Sequence, residues 1–266
     1  RWVFDASCVP MAGSHADWVL DAPEAPGNQS LPDRYPSPSQ CDIGAGTPED
    51  FWHGGYSAWG IELVKLGHWV ETIPRNSTIT YGDCNNSQDL SYFDVLVIPE
   101  PQLRYNEDEI DAIINFVFDG GSLFLIGNHC GSDRNNNGLD SAVIFGEMDT
   151  AGHFGIEFET YDGCTNHNPP PECELCSWND IRNTNFIADP QDPFIHGPHG
   201  EVEAIKFNEA TNLIIHPENN PMVQGHAWRD EGSAPQGNVD VTLASSFFGE
   251  GRVVAIGDSA PADDGT

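Results

Sequence analysis

The sequence predicts an α/β fold in which a mostly parallel sheet is flanked by helices. Two apolar runs, 94–98 and 122–127, have the length and near-continuous hydrophobicity of strands buried on both faces of a sheet. Segment 107–118, which lies between them, has apolar residues at helical spacing. These residues are Ile110, Ile113, Ile114, Val117 and Phe118. Strand, helix and strand in this order predict a parallel unit with a right-handed crossover.

The preceding part of the chain supplies further elements of this sheet. Trp2–Phe4 is predicted as a short strand that ends at Asp5. Thr47-Pro-Glu-Asp50 has acidic residues in the pattern of a first helical turn, and the helix is expected to continue to Gly67. Segment 68–73 is predicted as the next strand.

The following part adds one short helix, 141–146, and a second group of strands. These strands are expected at 204–207, 213–216, 239–248 and 252–256. Segments 6–48 and 150–200 are rich in loop-forming residues, and the chain shows no internal repeat. Residues 1–266 are therefore predicted to form a single domain with two long loop-rich excursions.

The charge balance excludes some partners. There are 42 acidic against 10 basic residues, a net charge of −32. Such a charge argues against nucleic acid and against an anionic membrane surface. It suits an extracellular protein in salty or calcium-rich surroundings, where cations screen the repulsion, although solubility alone would also explain it. No apolar run is long enough for membrane insertion. The first residues, Arg1-Trp-Val-Phe, predict a processed chain, and the end at Thr266, just after a strand, predicts an additional C-terminal segment.

The cysteines predict an oxidising environment. Seven are many for a cytosolic protein, so disulfides that tie the loops are favoured. Cys8 and Cys41 could pin the first loop-rich segment. The cluster Cys164, Cys173 and Cys176 could instead bind zinc with His167. The odd number leaves one thiol, for which Cys130 is the candidate.

Polar residues lie at the predicted strand ends, where α/β sheets bind ligands. They are Asp5, Glu100, His129, Cys130 and Asp258. Carboxylates beside a histidine could run acid–base catalysis or bind a metal, with Asp5, His129, Cys130 and Asp258 as candidate catalytic residues. The alternative is that these side chains only cap turns and helices.

The loop Asp133–Asp140, DRNNNGLD, predicts a calcium site. Asp133, Asn135 and Asn137 stand at positions 1, 3 and 5 of an EF-hand loop, and a glycine follows at position 6. The main-chain carbonyl of Leu139 would serve at position 7. Position 12 is Ile144 rather than glutamate, so Asp140, or else Glu147 or Asp149, would have to close the site. The alternative is an ordinary Asn/Gly turn.

Several of these motifs resemble the class I glutamine amidotransferase-like superfamily. VLVIPEP at 95–101, an amphipathic helix, GGSLFLIG at 120–127 and the turn Gly127–Gly131 are similar to its core. The resemblance implies a flavodoxin-like fold and a cysteine nucleophile at the centre of the turn. In this chain the centre is His129, and Cys130 is displaced by one residue.

The C-terminal strand GEGRVVAIGD, 249–258, resembles the ThuA-like branch of that superfamily, which often has histidine at the turn. VFDAS at 3–7 and SDRNNNGLDS at 132–141 are similar to secreted bacterial members. His216-Pro-Glu218 is identical to the motif with the other two amidotransferase catalytic residues. Because two strands follow it here, we interpret it as a chance match.

Two functions follow from these observations. The missing nucleophile favours a non-catalytic extracellular module that is rigidified by Ca²⁺ and either binds a glycan or small molecule or assembles with itself. The alternative is an extracellular hydrolase of an ester, amide or glycan. It would use His129 with Asp5, Asp258 and a metal-bound water.

Overall fold

The structure is a computed structural model that describes residues 1–7, 19–21, 40–74, 76–160, 177–198, 200–230 and 237–263. The predicted α/β class is confirmed, and the main sheet is mixed, with parallel and antiparallel pairs. The chain forms two compact units. The first contains Arg1–Phe124, Gly249–Gly251 and Ala262–Thr266, and the second contains Leu125–Phe248 and Arg252–Pro261. The interpretation of 1–266 as one domain stays a prediction.

Four strands of the described residues build the first unit's part of the sheet. They are β1 (Trp2–Asp5), β2 (Val70–Ile73), β3 (Val95–Pro99) and β4 (Ser122–Ile126), whose last two residues belong to the second unit. Their order is β2–β1–β3–β4. β1 pairs in parallel with both neighbours, so that Trp2 lies opposite Val70 and Val95. All four predicted strands are confirmed.

The described residues of this unit also form two α-helices, α1 (Ser57–Lys65) and α2 (Glu107–Phe118). α2 has the predicted bounds because a capping box fixes its first turn: Asn106 and Glu109 each accept a backbone N–H bond from the other. The predicted start of α1 at Thr47 is wrong. The backbone N–H of Gly54 donates to the Leu20 carbonyl, and a Cβ at Gly54 would lie 2.1 Å from the Val19 oxygen. This contact holds the chain in turns until Ser57.

The aromatic residues before and within α1 form core contacts. Trp52 and Tyr56 are buried. The Trp59 ring packs edge-on against Phe4 at 5.0 Å and Phe124 at 5.8 Å, measured between ring centroids. These aromatics therefore attach α1 to the sheet.

The second unit continues from β4 with one helix and ten further strands among the described residues. They are α3 (Ser141–Met148), β5 (Ile156–Phe158), β6 (Trp178–Asn183), β7 (Asn185–Phe186), β8 (His196–Gly197), β9 (Gly200–Glu201), β10 (Ile205–Ala210), β11 (Leu213–Ile215), β12 (Gln224–Trp228), β13 (Val241–Phe248) and β14 (Gly251–Ile256). The main order is β4–β14–β13–β11–β5, and β12 pairs with β13 and β7. β5, β11, β12 and β13 pair antiparallel.

The strands that sequence reasoning missed have weak signals. β7, β8 and β9 have two residues each, too few for a visible alternation. β6 pairs with β10, and the register of this pair shifts twice. An irregular pair does not keep one apolar face, so its sequence lacks the period of two. In the described part of the chain, no helix has the length and apolar character needed to cross a membrane.

Candidate functional sites

The structure brings two predicted site residues, His129 and Asp258, to the same segment of β10. Oδ2 of Asp258 accepts a hydrogen bond from the Asn208 N–H at 2.5 Å. Nε2 of His129 lies 3.5 Å from Oε2 of Glu209, the residue that follows Asn208 in β10. The turns after β4 and β14 are adjacent because the Gly127 N–H donates to the Ile256 carbonyl.

These contacts give both side chains structural roles. Asp258 is 1% exposed, and its other oxygen accepts from the Ala260 N–H. Nδ1 of His129 lies 2.9 Å from the Cys130 carbonyl oxygen, so Nδ1 is the donor and Nε2 faces Glu209. Sequence reasoning missed Glu209, whose positive φ of 58° places it at an irregularity of β10. Only the tertiary pairing could have revealed it.

Asp5 and Glu100 belong to the first unit. The Asp5 carboxylate accepts bonds from the Tyr105 hydroxyl at 2.6 Å and from the Ser7 N–H and hydroxyl at 2.8 and 2.5 Å. Burial raises the pKa of Asp5, and the bonds from Ser7 and Tyr105 oppose that rise. Glu100 is fully buried directly after β3, with a positive φ of 44°. Both carboxylates thus lie inside the protein.

The cysteine pattern differs from the prediction. Cys130 is disulfide-bonded, so the prediction that it is the spare thiol is wrong. A sulfur in a disulfide is not a thiolate nucleophile. Cys41 and Cys84 are free and exposed, so the predicted Cys8–Cys41 pin is also wrong. The predicted zinc cluster, Cys164, Cys173, Cys176 and His167, lies outside the described residues.

The loop 133–140 winds around the Asp133 carboxylate. Its oxygens accept from the N–H groups of Asn137 at 3.0 Å and Gly138 at 2.7 Å. Asn135 and Asn137 accept from N–H groups two residues further on, Asn137 and Leu139. Gly138 has a φ of 84°, the sharp turn expected at position 6.

Asp140 has a different role in this loop. One of its oxygens accepts from the Val143 N–H and caps α3, and the other accepts from the Gly131 N–H. Among the described residues there is no group of three or more His, Cys, Asp or Glu side chains arranged for a metal. The oxygen ligands of a cation in this loop would therefore come mainly from asparagine side chains and main-chain carbonyl groups.

His216, of the motif interpreted as a chance match, lies between two glutamates. Its Nδ1 is 2.9 Å from Glu218 Oε1, and its Nε2 is 2.7 Å from Glu157 Oε2. Partial burial lowers the pKa of His216, but the bonds to Glu218 and Glu157 outweigh this and raise it. His216 and Glu157 also line an acidic cavity of about 710 Å³ beside α3.

We expect His216 to titrate above its ordinary pKa of 6.5. Because the folded-state pKa is raised, its contribution to stability is fully present below pH 6.5 and is lost as the pH rises through the folded value. An NMR titration of the His216 ring, alone and with Glu157→Gln, measures this shift. A value at or below 6.5, or the same value in the variant, would contradict the assigned cause.

A third group of side chains was not identified from the sequence. Ser245 Oγ lies 2.7 Å from His226 Nε2, and His226 Nδ1 lies 2.6 Å from Asp192 Oδ2. His226 and Asp192 are each 2% exposed. The three residues line a second cavity of about 500 Å³ in the second unit. They come from β13, β12 and the turn before β8, and no short motif connects such distant positions.

Comparisons with known proteins place the fold but not the function. No protein-family model matches the chain, and no curated protein matches it. The N-terminal domain of mmIFT52 is similar, with a TM-score of 0.50 and 14% identity over 83% of this chain and 87% of that domain. This likeness shows the fold alone.

Two further solved structures are more distant. Exo-β-1,4-mannosidase Op5Man5 from Opitutaceae bacterium strain TAV5 has a TM-score of 0.40 and 12% identity over 78% of this chain, which spans only 26% of the mannosidase. A cytoplasmic protein from Salmonella typhimurium LT2 has a TM-score of 0.44 and 15% identity over 72% of this chain and 70% of that one.

Proposed function

We propose that this chain is a secreted, calcium-binding, acidic domain that acts as an extracellular binding or assembly module. The observation that carries the proposal is the conformation of the 133–140 loop. Its backbone turns around Asp133 and is left-handed at Asn136 and Gly138. The net charge of −32 supports a cation-rich setting, because such a charge repels itself unless it is screened.

The flavodoxin-like and amidotransferase-like assignment is part of this proposal. The order β2–β1–β3–β4, followed by β14 beside β4, matches the 2-1-3-4-5 order of flavodoxin-like sheets. The bonded state of Cys130 supports loops that are tied by disulfides. Disulfides in turn favour an extracellular location.

We assign structural rather than catalytic roles to the predicted strand-end residues. The Asp258 carboxylate is bonded to two backbone N–H groups, and Asp5 is held by Ser7 and Tyr105. Cys130 offers no thiol in its bonded state. A hydrolase that uses His129, Asp5 and Asp258 therefore finds little support in their contacts.

The loop's donor set fits a hard cation in composition. Asp133, Asn135 and Asn137 supply side-chain oxygens and Leu139 a main-chain carbonyl, the ligand types that Ca²⁺ prefers. Asp140 is better assigned to capping α3, since its oxygens accept from the N–H groups of Val143 and Gly131, both outside the loop. The N–H groups bonded to Asp133 belong to Asn137 and Gly138, within the loop that would surround the ion. Bound Ca²⁺ would supply charge that holds these oxygens together, and the expected affinity is that of weak extracellular modules, a Kd of roughly 10⁻⁴–10⁻³ M.

A calcium titration tests this proposal. At 10 mM Ca²⁺, a site of that affinity should stabilise the folded chain by roughly 1.4–2.7 kcal/mol, because the ion binds only the native loop. We expect a rise of several degrees in Tm after removal of metal with a chelator and addition of Ca²⁺. Asp133→Ala should abolish the rise, because it removes the first ligand.

The control must separate this site from general screening of a highly acidic protein. Asp111→Ala removes an equal charge from the exposed face of α2 and should keep the full response to Ca²⁺. An equal rise in both variants would show screening only. No rise in the unaltered chain would refute the calcium site.

A further inference from the structure

Ser245, His226 and Asp192 form a continuous relay of hydrogen bonds. Asp192 Oδ1 accepts from the N–H groups of Phe194 at 3.0 Å and Ile195 at 3.1 Å. Its other oxygen is thereby aimed at His226 Nδ1, 2.6 Å away. A fixed carboxylate on Nδ1 selects the tautomer in which Nδ1 carries the proton and Nε2 is the acceptor.

The environment of His226 suits a general base. Burial lowers the pKa of His226, and the bond and charge of Asp192 oppose this without reversing it. The imidazole is therefore neutral at neutral pH, with its Nε2 lone pair directed at the Ser245 hydroxyl, 2.7 Å away. The Phe194 ring lies 4.3 Å from the His226 ring between centroids and contributes to the burial of the imidazole.

The relay ends at a cavity. Ser245 is partly exposed, whereas His226 and Asp192 are buried behind it, so a ligand can reach the hydroxyl first. The cavity of about 500 Å³ is large enough for a small acyl or aryl group. Phe194, Phe247 and Val254 supply apolar lining, and Arg252 is the one Lys or Arg among the lining residues that the structure describes.

We infer that Ser245, His226 and Asp192 are the nucleophile, base and orienting acid of a site that hydrolyses small carboxylic esters. This activity goes beyond the proposed calcium-binding function and does not depend on it. An ester fits better than an amide, because its alkoxide leaving group needs less protonation than an amine. Arg252 lines the same cavity, and we assign to it the stabilisation of the developing oxyanion.

The reaction balances with these groups and water alone. Ser245 Oγ forms a bond to the ester carbonyl carbon as its proton passes to His226 Nε2. The carbon–oxygen bond of the ester breaks, and the alcohol leaves with that proton. Water then attacks the acyl-serine with the same base, which releases the carboxylic acid and restores Ser245.

The competing explanation is a buried polar network in which Ser245 only satisfies the His226 nitrogen. A fluorophosphonate probe separates the two, since it reacts with activated serines and not with ordinary ones. We expect one adduct per chain, located on the Ser245 peptide by mass spectrometry. This result requires no variant, so it does not depend on how well a variant folds.

Hydrolysis of p-nitrophenyl acetate and butyrate provides the second measurement. Ser245→Ala should lose the adduct and lower kcat/KM by about 10³-fold or more. Ser87→Ala is the control, since Ser87 is exposed in the first unit and is not among the residues that line this cavity. Its labelling and turnover should equal those of the unaltered chain. Absence of an adduct on the unaltered chain, with ester turnover no faster than in Ser245→Ala, would overturn the inference.

The pH profile tests the base itself. Because the His226 imidazole resists protonation, kcat/KM should rise with pH and pass its half-maximal value below the ordinary histidine pKa of 6.5. Asp192→Asn should reduce kcat by about 10²–10⁴-fold, since it favours the wrong tautomer. A pH-independent rate, or full activity in Asp192→Asn, would identify a structural network instead.

Discussion

Gly257→Ala is expected to destabilise the folded chain by about 3 kcal/mol or more, near the upper end of the cost of overpacking. A Cβ at this position would lie 2.0 Å from the Thr211 carbonyl oxygen and 3.1 Å from its carbon. The Thr211 N–H donates to the Gly257 carbonyl, and the Gly257 N–H donates to the Thr242 carbonyl. Neither the Gly257 backbone nor the Thr211 backbone can move away without breaking one of these hydrogen bonds. Asp258 follows Gly257 directly in the chain.

Urea unfolding at neutral pH measures this effect, and the chain contains a matched control. Gly146 lies exposed in α3, where an added Cβ would meet nothing within 4 Å. Gly146→Ala should stabilise the chain by up to about 1 kcal/mol through helix propensity. If Gly257→Ala cost less than about 1 kcal/mol, the close approach of 257 to 211 would be refuted, because contacts this short cannot be relieved cheaply.

Asp89→Asn is expected to produce the largest pH-dependent loss of stability. The Asp89 carboxylate is fully buried and accepts five hydrogen bonds. The donors are the Ser91 N–H and hydroxyl, the Thr80 hydroxyl and the N–H groups of Gly82 and Asp83. Burial alone would raise the pKa of Asp89, but these bonds outweigh it and lower the pKa from 3.8 to about 2.

The sign follows from this lowered pKa. The folded state binds the proton more weakly than the unfolded state, so the contribution is present above pH 3.8 and is lost as the pH falls towards 2. At neutral pH it amounts to about 2–3 kcal/mol, since one pKa unit corresponds to about 1.4 kcal/mol. Loss of the charge-assisted bonds should make Asp89→Asn less stable by at least that amount.

Urea unfolding at pH 7, 5 and 3 checks both the size and the direction. The difference between the unaltered chain and Asp89→Asn should shrink between pH 5 and pH 3. The control Asp111→Asn changes an exposed carboxylate of α2 and should stay within about 0.5 kcal/mol throughout. A difference for Asp89→Asn that did not vary with pH would show that its hydrogen bonds do not act through the charge.

Local patterns in the sequence predicted the first unit well. β3, α2 and β4 have continuous or amphipathic hydrophobicity, and α2 also has a capping box within four residues, so its bounds depend on neighbours in the chain. The predicted start of α1 is wrong because Val19 and Leu20, more than thirty positions earlier, accept hydrogen bonds from the backbone N–H groups of Tyr56 and Gly54. These bonds keep the residues before Ser57 in turns. Acidic residues that would begin a helix cannot compete with that long-range contact.

The candidate sites divide in the same way. The turns of the 133–140 loop could be predicted because the hydrogen bonds that Asp133, Asn135 and Asn137 accept come from N–H groups two to five positions further along the chain. Asp192, His226 and Ser245 are separated by 34 and 19 positions, and each is ordinary in its own surroundings. The sequence by itself determined the α/β class, the acidic character and the oxygen-rich loop, since composition and short-range order control these. Only the tertiary structure decided that Asp258 supports a turn and that a serine, a histidine and an aspartate meet at a cavity, because strand pairing and burial create those contacts.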